Sequence, residues 1–88
     1  MYVTERKQMK NLVIFKAHWC KPCGLLSKTI ESIDLGIPVS TIDIDADPTA
    51  TTEYNIRSVP TLLLMEDTQV VKRKTGNMSV EQLKEFVQ

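Results

Sequence analysis

Two cysteines, Cys20 and Cys23, enclose Lys21 and Pro22 in the run Ala17-His-Trp-Cys-Lys-Pro-Cys-Gly24. Thiols at this spacing can close a disulfide on each other or supply half of a metal shell. Zinc wants four ligands and the chain has 1 histidine, His18, so carboxylates would have to complete that set. A pair of small buried apolar residues is the remaining alternative. Redox exchange is the reading that the location favours. The motif falls between an apolar run and a one-sided helical stripe, which puts Cys20 near a helix N-terminus. Unpaired N–H groups and the helix macrodipole there stabilise a thiolate, the nucleophile of thiol–disulfide exchange. Cys20 is the expected nucleophile and Cys23, nearly one turn on, the resolving thiol. Pro22 suits the first helical turn, and the Lys21 cation favours the Cys20 thiolate further.

The elements that must hold this motif read as an alternation of types. Asn11 to Lys16 is a short run of β-formers, of the kind that suits a buried strand. Cys20 to Ile33 carries Leu25, Leu26, Thr29, Ile30 and Ile33 at helical spacing and is closed by Gly36 and Pro38; Leu25, Ile30 and Ile33 are expected in the core. Pro38 to Ile44 alternates as a strand, and Asp47 with Pro48 opens a short helix to about Tyr54. Thr61 to Met65 and Gln69 to Lys74 form a hairpin about Glu66-Asp-Thr68, broken by Gly76 and Asn77. Ser79 and Gln82 have capping-box spacing before a last helix with Val80, Leu83 and Val87 on one face. The order β-α-β-α-β-β-α predicts an α/β fold: a βαβ unit, then a β-hairpin and a C-terminal helix, forming a mixed sheet with helices on both faces. Residues 1–10 fit a short edge strand or a ragged helical turn.

The chain has 88 residues, 42% of them hydrophobic and 25% charged, as in an ordinary globular protein with one core. A single domain over residues 1–88 is expected. Eleven basic residues balance eleven acidic ones, which removes the electrostatic argument for nucleic acid or an anionic membrane. No run approaches the about 18 apolar residues of a membrane-spanning helix. The charged opening MYVTERKQMK does not read as a signal peptide. A cytoplasmic location is expected, where a reactive pair of cysteines is commoner than a structural disulfide.

A second segment, Ile56-Arg-Ser-Val-Pro-Thr61, puts a proline at the start of a strand, a poor place for ladder pairing. A cis Val59–Pro60 bond would turn the chain beside the thiols and leave the Val59 backbone open to an extended substrate, although cis is the minority state on statistics alone. Together with Trp19-Cys-Lys-Pro-Cys23, Ile42-Asp-Ile-Asp45, Tyr54 to Thr61, Gly76 and Gln82 to Phe86, this segment resembles the thioredoxin family over roughly residues 11–88. The resemblance implies the thioredoxin fold with a shortened N-terminus and a cis Pro60. It further implies dithiol reduction of protein disulfides and a shallow groove around Trp19, Val59, Pro60 and Gly76 that receives the target. It also implies a monomer with no bound cofactor, recharged by a flavin-dependent thioredoxin reductase that draws on NADPH.

The chain departs from the family in its charges. The family's buried aspartate, six residues before the first cysteine, is Ile14 here, and the lysine that usually accompanies it is Thr41. Asp43, further along the same strand face, is the stand-in for the proton acceptor, although Asp43 and Asp45 also read as solvated or capping carboxylates. Lys21 stands where glycine is commonest and Gly24 where a basic residue is, so altered cysteine pKa values are expected. His18 and the Lys72–Lys74 stretch read as solvated, and Trp19 as target-contact surface. A glutaredoxin-like, glutathione-dependent enzyme, an oxidant or isomerase, and a binding subunit with dispensable thiols are the alternatives.

Overall fold

The run of β-formers before the cysteines becomes an interior strand of a mixed sheet. In a computed structural model, which describes residues 9–88, the elements are β1 (Lys10–Lys16), α1 (Lys21–Glu31), β2 (Val39–Asp43), α2 (Pro48–Glu53), β3 (Thr61–Glu66), β4 (Gln69–Thr75) and α3 (Val80–Phe86). The sheet order is β2-β1-β3-β4. β1 pairs parallel with β2, whereas β1–β3 and β3–β4 are antiparallel. The expected alternation of elements is therefore present, with boundaries shifted by a residue or two.

Side-chain alternation along the interior strands divides the core into two layers. Leu12 and Ile14 of β1 and Leu62 and Leu64 of β3 face Leu26 of α1 and Leu83 and Val87 of α3. Phe15, Leu63 and Met65 face the other way, where Ala50 and Tyr54 of the α2 region cover them with Ile56. Thr61 to Met65 are all buried because β3 is covered on both faces, which is why this strand is a continuous apolar run. Helices lie on both faces, as the sequence suggests.

Capping fixes where the helices begin. Cys20 is the N-cap of α1, with its Sγ accepting from the Cys23 N–H. Asp47 caps α2 by accepting from the Ala50 N–H, with Pro48 in the first turn. Ser79 and Gln82 form the reciprocal capping box at α3.

Four expectations are corrected. α1 stops at Glu31, not Ile33, because Ser32 and Ile33 turn their N–H groups back to Thr29 and Ile30 in a tightened last turn. Gly36 does not end the helix; it sits in the following loop at φ +77°, where Asp34 Oδ1 accepts its N–H at 2.9 Å. Leu25 is not core: it is 60% exposed, since Cys23, Leu26 and Ile30 take the inward face and Leu25 lies about 100° round the helix from Leu26. Of the opening segment, Lys10 belongs to interior β1 opposite Glu66, neither edge strand nor helix; residues 1–8 lie outside the described residues.

Candidate active site

β1 delivers the chain to Ala17, and a turn (Cys20 N–H to the Ala17 carbonyl, 3.1 Å) swings it onto α1. Cys20 and Cys23 are joined as a disulfide, with Cα atoms 5.3 Å apart. The sulfurs sit low in the surface: Cys20 is 8% and Cys23 4% exposed, packed with Ala17 and flanked by Ile44 and Val59. The Cys23 N–H points at Cys20 Sγ at 3.2 Å. That donor will stabilise negative charge on Cys20 once the disulfide is opened.

The second segment comes alongside. The Val59–Pro60 bond is cis, and the Val59 carbonyl oxygen lies 3.7 Å from Cys20 Sγ. The Gly76 N–H donates to the Pro60 carbonyl at 2.9 Å, so Val59, Pro60 and Gly76 form one continuous wall. Gly76 turns there with φ +95°, a left-handed conformation that suits glycine. Trp19 projects beside the thiols, 62% exposed. Its Nε1 donates to Asp45 Oδ2 at 2.9 Å, an attachment the sequence does not reveal because 26 residues separate the partners.

Lys21 and Pro22 occupy the exposed first turn of α1. On the other side of the sulfurs, Lys16, His18, Gly24, Ser27 and Asp43 join Ala17, Cys20 and Cys23 around a pocket of about 180 Å³. Asp43 is half-buried there, and its Oδ1 accepts the Asp45 N–H at 2.9 Å. His18 is exposed, with Nδ1 4.0 Å from Asp45 Oδ2. The structure thus leaves Trp19 exposed and Val59 and Gly76 half-buried beside Cys20, buries the Pro60 ring beneath them so that it supports the groove rather than opening onto it, and sets Asp43 on the other side of the sulfurs. Lys16, which no motif singles out, is on that rear wall; its placement follows from register, since it pairs with Asp43 across the β1–β2 ladder. Among the described residues no group of three or more His, Cys, Asp or Glu side chains could hold a metal ion. Nor is any described helix long and apolar enough to cross a membrane.

A mixed sheet between two helical layers, with a Cys-x-x-Cys disulfide at the N-terminus of α1 beside a cis proline, defines a dithiol–disulfide oxidoreductase of thioredoxin fold. A model of the thioredoxin family matches residues 2–88. The chain is 38% identical to a thioredoxin of Buchnera aphidicola subsp. Baizongia pistaciae over 98% of its own length and 82% of the relative's. It is 40% identical to a Chlamydia muridarum thioredoxin over 74% of the chain and 67% of the relative. Among solved structures, a mutant thioredoxin from Halobacterium salinarum superposes with TM-score 0.84 at 31% identity, covering 90% of this chain and 72% of that one. A malaria-parasite thioredoxin-2 superposes with TM-score 0.82 at 21% identity, covering 97% and 86%, a likeness of fold. The chain belongs to the thioredoxin family, and its activity is protein-disulfide oxidoreduction by thiol–disulfide exchange through Cys20 and Cys23.

Proposed function

We propose that this chain, as a single domain, works in the reducing direction, donating electrons from the Cys20–Cys23 dithiol to disulfides of target proteins. The observation that carries the exchange chemistry is the Cys23 N–H aimed at Cys20 Sγ at 3.2 Å, because it marks Cys20 as the sulfur whose anion is stabilised and hence as the nucleophile; the likeness to thioredoxins supports the reducing direction. The Cys20 thiolate attacks a target disulfide and forms a mixed disulfide, and one target sulfur leaves as a thiolate. Cys23 then attacks Cys20 Sγ, the second target sulfur leaves, and the Cys20–Cys23 disulfide is restored with two electrons transferred.

Trp19, Val59 and Gly76 receive the target, with Pro60 supporting them from beneath. The nearness of the Val59 carbonyl to Cys20 Sγ supports this, since a target sulfur bonded to Cys20 must pass beside that backbone. Lys21 and Pro22 tune the first thiol from the helix start, and Asp43 takes the proton of Cys23. The domain acts as a cytoplasmic monomer with no bound cofactor, and it is recharged by a flavoprotein reductase that spends NADPH.

Reduction of the purified disulfide form, followed by Trp19 fluorescence, tests the reading. NADPH with thioredoxin reductase is compared with glutathione and glutathione reductase. Fast reduction by the first system is expected; reduction by the second alone overturns the assignment of the electron source.

A further inference from the structure

Cys23 is the more deeply buried sulfur, 4% exposed, and its apolar neighbours Ala17, Ile44 and Val59 offer no titratable group. The pocket behind it does. Three titratable side chains other than the cysteines line that space: Lys16 from β1, Asp43 from β2 and His18 from the loop between β1 and α1. Lys16 and Asp43 are register partners on adjacent parallel strands, so their side chains rise from the same face of the sheet. His18 reaches outward to Asp45 instead.

Lys16 is half-buried and also lines the adjoining pocket with Ser27 and Glu31 of α1. Among the described residues no ion pair within 4.0 Å ties down its ammonium. Lys16 thus lines both pockets, one shared with the sulfurs and Asp43 and the other with Glu31. Lys21 is the other cation near the dithiol, but it is fully outside, in the exposed first turn, where solvent and salt screen it.

We infer that Lys16 is a positioning residue for the resolving step, acting electrostatically on the dithiol from behind. The inference rests on the assignment of Cys23 as resolving thiol. In that step the Cys23 S–H proton passes into the pocket and onto the Asp43 carboxylate, and Cys23 Sγ attacks Cys20 Sγ of the mixed disulfide. The Cys20–Cys23 bond forms as the bond from Cys20 to the target sulfur breaks, and the target thiolate departs with that electron pair. Negative charge moves from Asp43 to Cys23 during the proton transfer, and Lys16 lines the pocket that holds both ends of that path. Its ammonium favours the thiolate throughout, against the opposing charges of Asp43 and Glu31.

The test compares the reduced protein with Lys16→Met, Lys16→Gln and Lys16→Arg variants, following thiolate absorbance near 240 nm and iodoacetamide alkylation of Cys20 and of Cys23, resolved by peptide mass, against pH. Losing the cation is expected to move thiolate formation up by about half a pH unit to one unit and to slow alkylation near pH 7 about three- to tenfold. Lys16→Arg should stay within about twofold of the parent, and raising the salt concentration should shrink the difference between parent and Lys16→Met. Coincident titrations of parent and both uncharged variants would overturn the inference, as would equal shifts in Lys16→Arg and Lys16→Met. If both uncharged variants fail to fold, the Lys16→Arg titration together with the parent's salt dependence decides: a salt-insensitive parent thiol is incompatible with a cation acting across the pocket. Insulin reduction by the parent, measured alongside, reports separately on the functional reading.

Discussion

Trp19 and Asp45 are joined across the site: the indole N–H of the residue before the nucleophile donates to a carboxylate on the loop after β2, at 2.9 Å. A 62% exposed tryptophan would otherwise sample several rotamers beside the sulfurs, and this one bond selects among them. Asp45→Ala should therefore leave the fold intact while loosening Trp19. We expect about a two- to tenfold lower rate of insulin reduction, corresponding to roughly 0.5–1.5 kcal/mol for one net hydrogen bond. A changed Trp19 fluorescence spectrum should accompany a urea midpoint lowered by no more than that one bond is worth. An unaltered spectrum would mean the bond does not hold the ring in solution.

The two thiols should fail differently. Cys20→Ser removes the attacking sulfur and abolishes reduction of target disulfides. Cys23→Ser retains the first attack but cannot resolve it, so the chain should accumulate as a mixed disulfide with its target. Non-reducing gel electrophoresis after incubation with a disulfide protein separates these outcomes. Trapping by the Cys20→Ser variant instead would reverse the assigned roles.

Leu25 and Leu26 are adjacent in sequence but differ in environment, 60% against 1% exposed. Leu26→Ala empties a place among Leu12, Leu62, Leu64 and Leu83 and should cost about 2–5 kcal/mol of stability. Leu25→Ala should change stability by less than about 0.5 kcal/mol. Urea unfolding of the pair measures the difference directly, and similar losses would mean that α1 is rotated from the orientation described.

Arg73 of β4 donates from Nη1 to the Tyr54 carbonyl at 2.6 Å and from Nη2 to the Asn55 carbonyl at 2.8 Å. Those carbonyls lie at the end of α2, where no intrahelical donor remains for them. Arg73→Met should lower the free energy of unfolding by about 1–2 kcal/mol, the charged donors being partly offset by their exposure. Lys72→Met, which loses one 3.1 Å bond to the Phe86 carbonyl and a cation 5.9 Å from the centre of the Phe86 ring, should cost less. Equal midpoints for parent and Arg73→Met would show that water replaces the guanidinium without loss.

Much of the site was legible because its signals are local. The Cys-x-x-Cys pair, the proline at the head of β3, the Asp47 and Ser79 caps and the two-sided apolar run of β3 each depend on neighbours within a few residues. What escaped the sequence depends on partners far along the chain. Lys72 to Lys74 read as a solvated strand end, yet Lys72 and Arg73 reach the last carbonyls of α3 and the end of α2. Trp19 read as target surface, and nothing in its neighbourhood names Asp45 as its anchor. Leu25 and Leu26 both fit an apolar stripe with Ile30, and only packing selects Leu26 over Leu25. Lys16 emerged from strand register alone.

The cations on β4 have a further consequence, for how copies of the chain meet one another. β4 is the outermost strand on its side of the sheet, and it carries Lys72, Arg73 and Lys74 in succession. An unpaired strand is a template onto which a neighbour's strand can add, and exposed Val70 and Val71 would otherwise invite it. A second copy arriving edge to edge would bring its own three positive charges against these three, and it would have to detach Arg73 and Lys72 from the helix ends they serve. The residues that fasten the helical layers to the sheet should therefore also oppose strand addition along this border in concentrated protein.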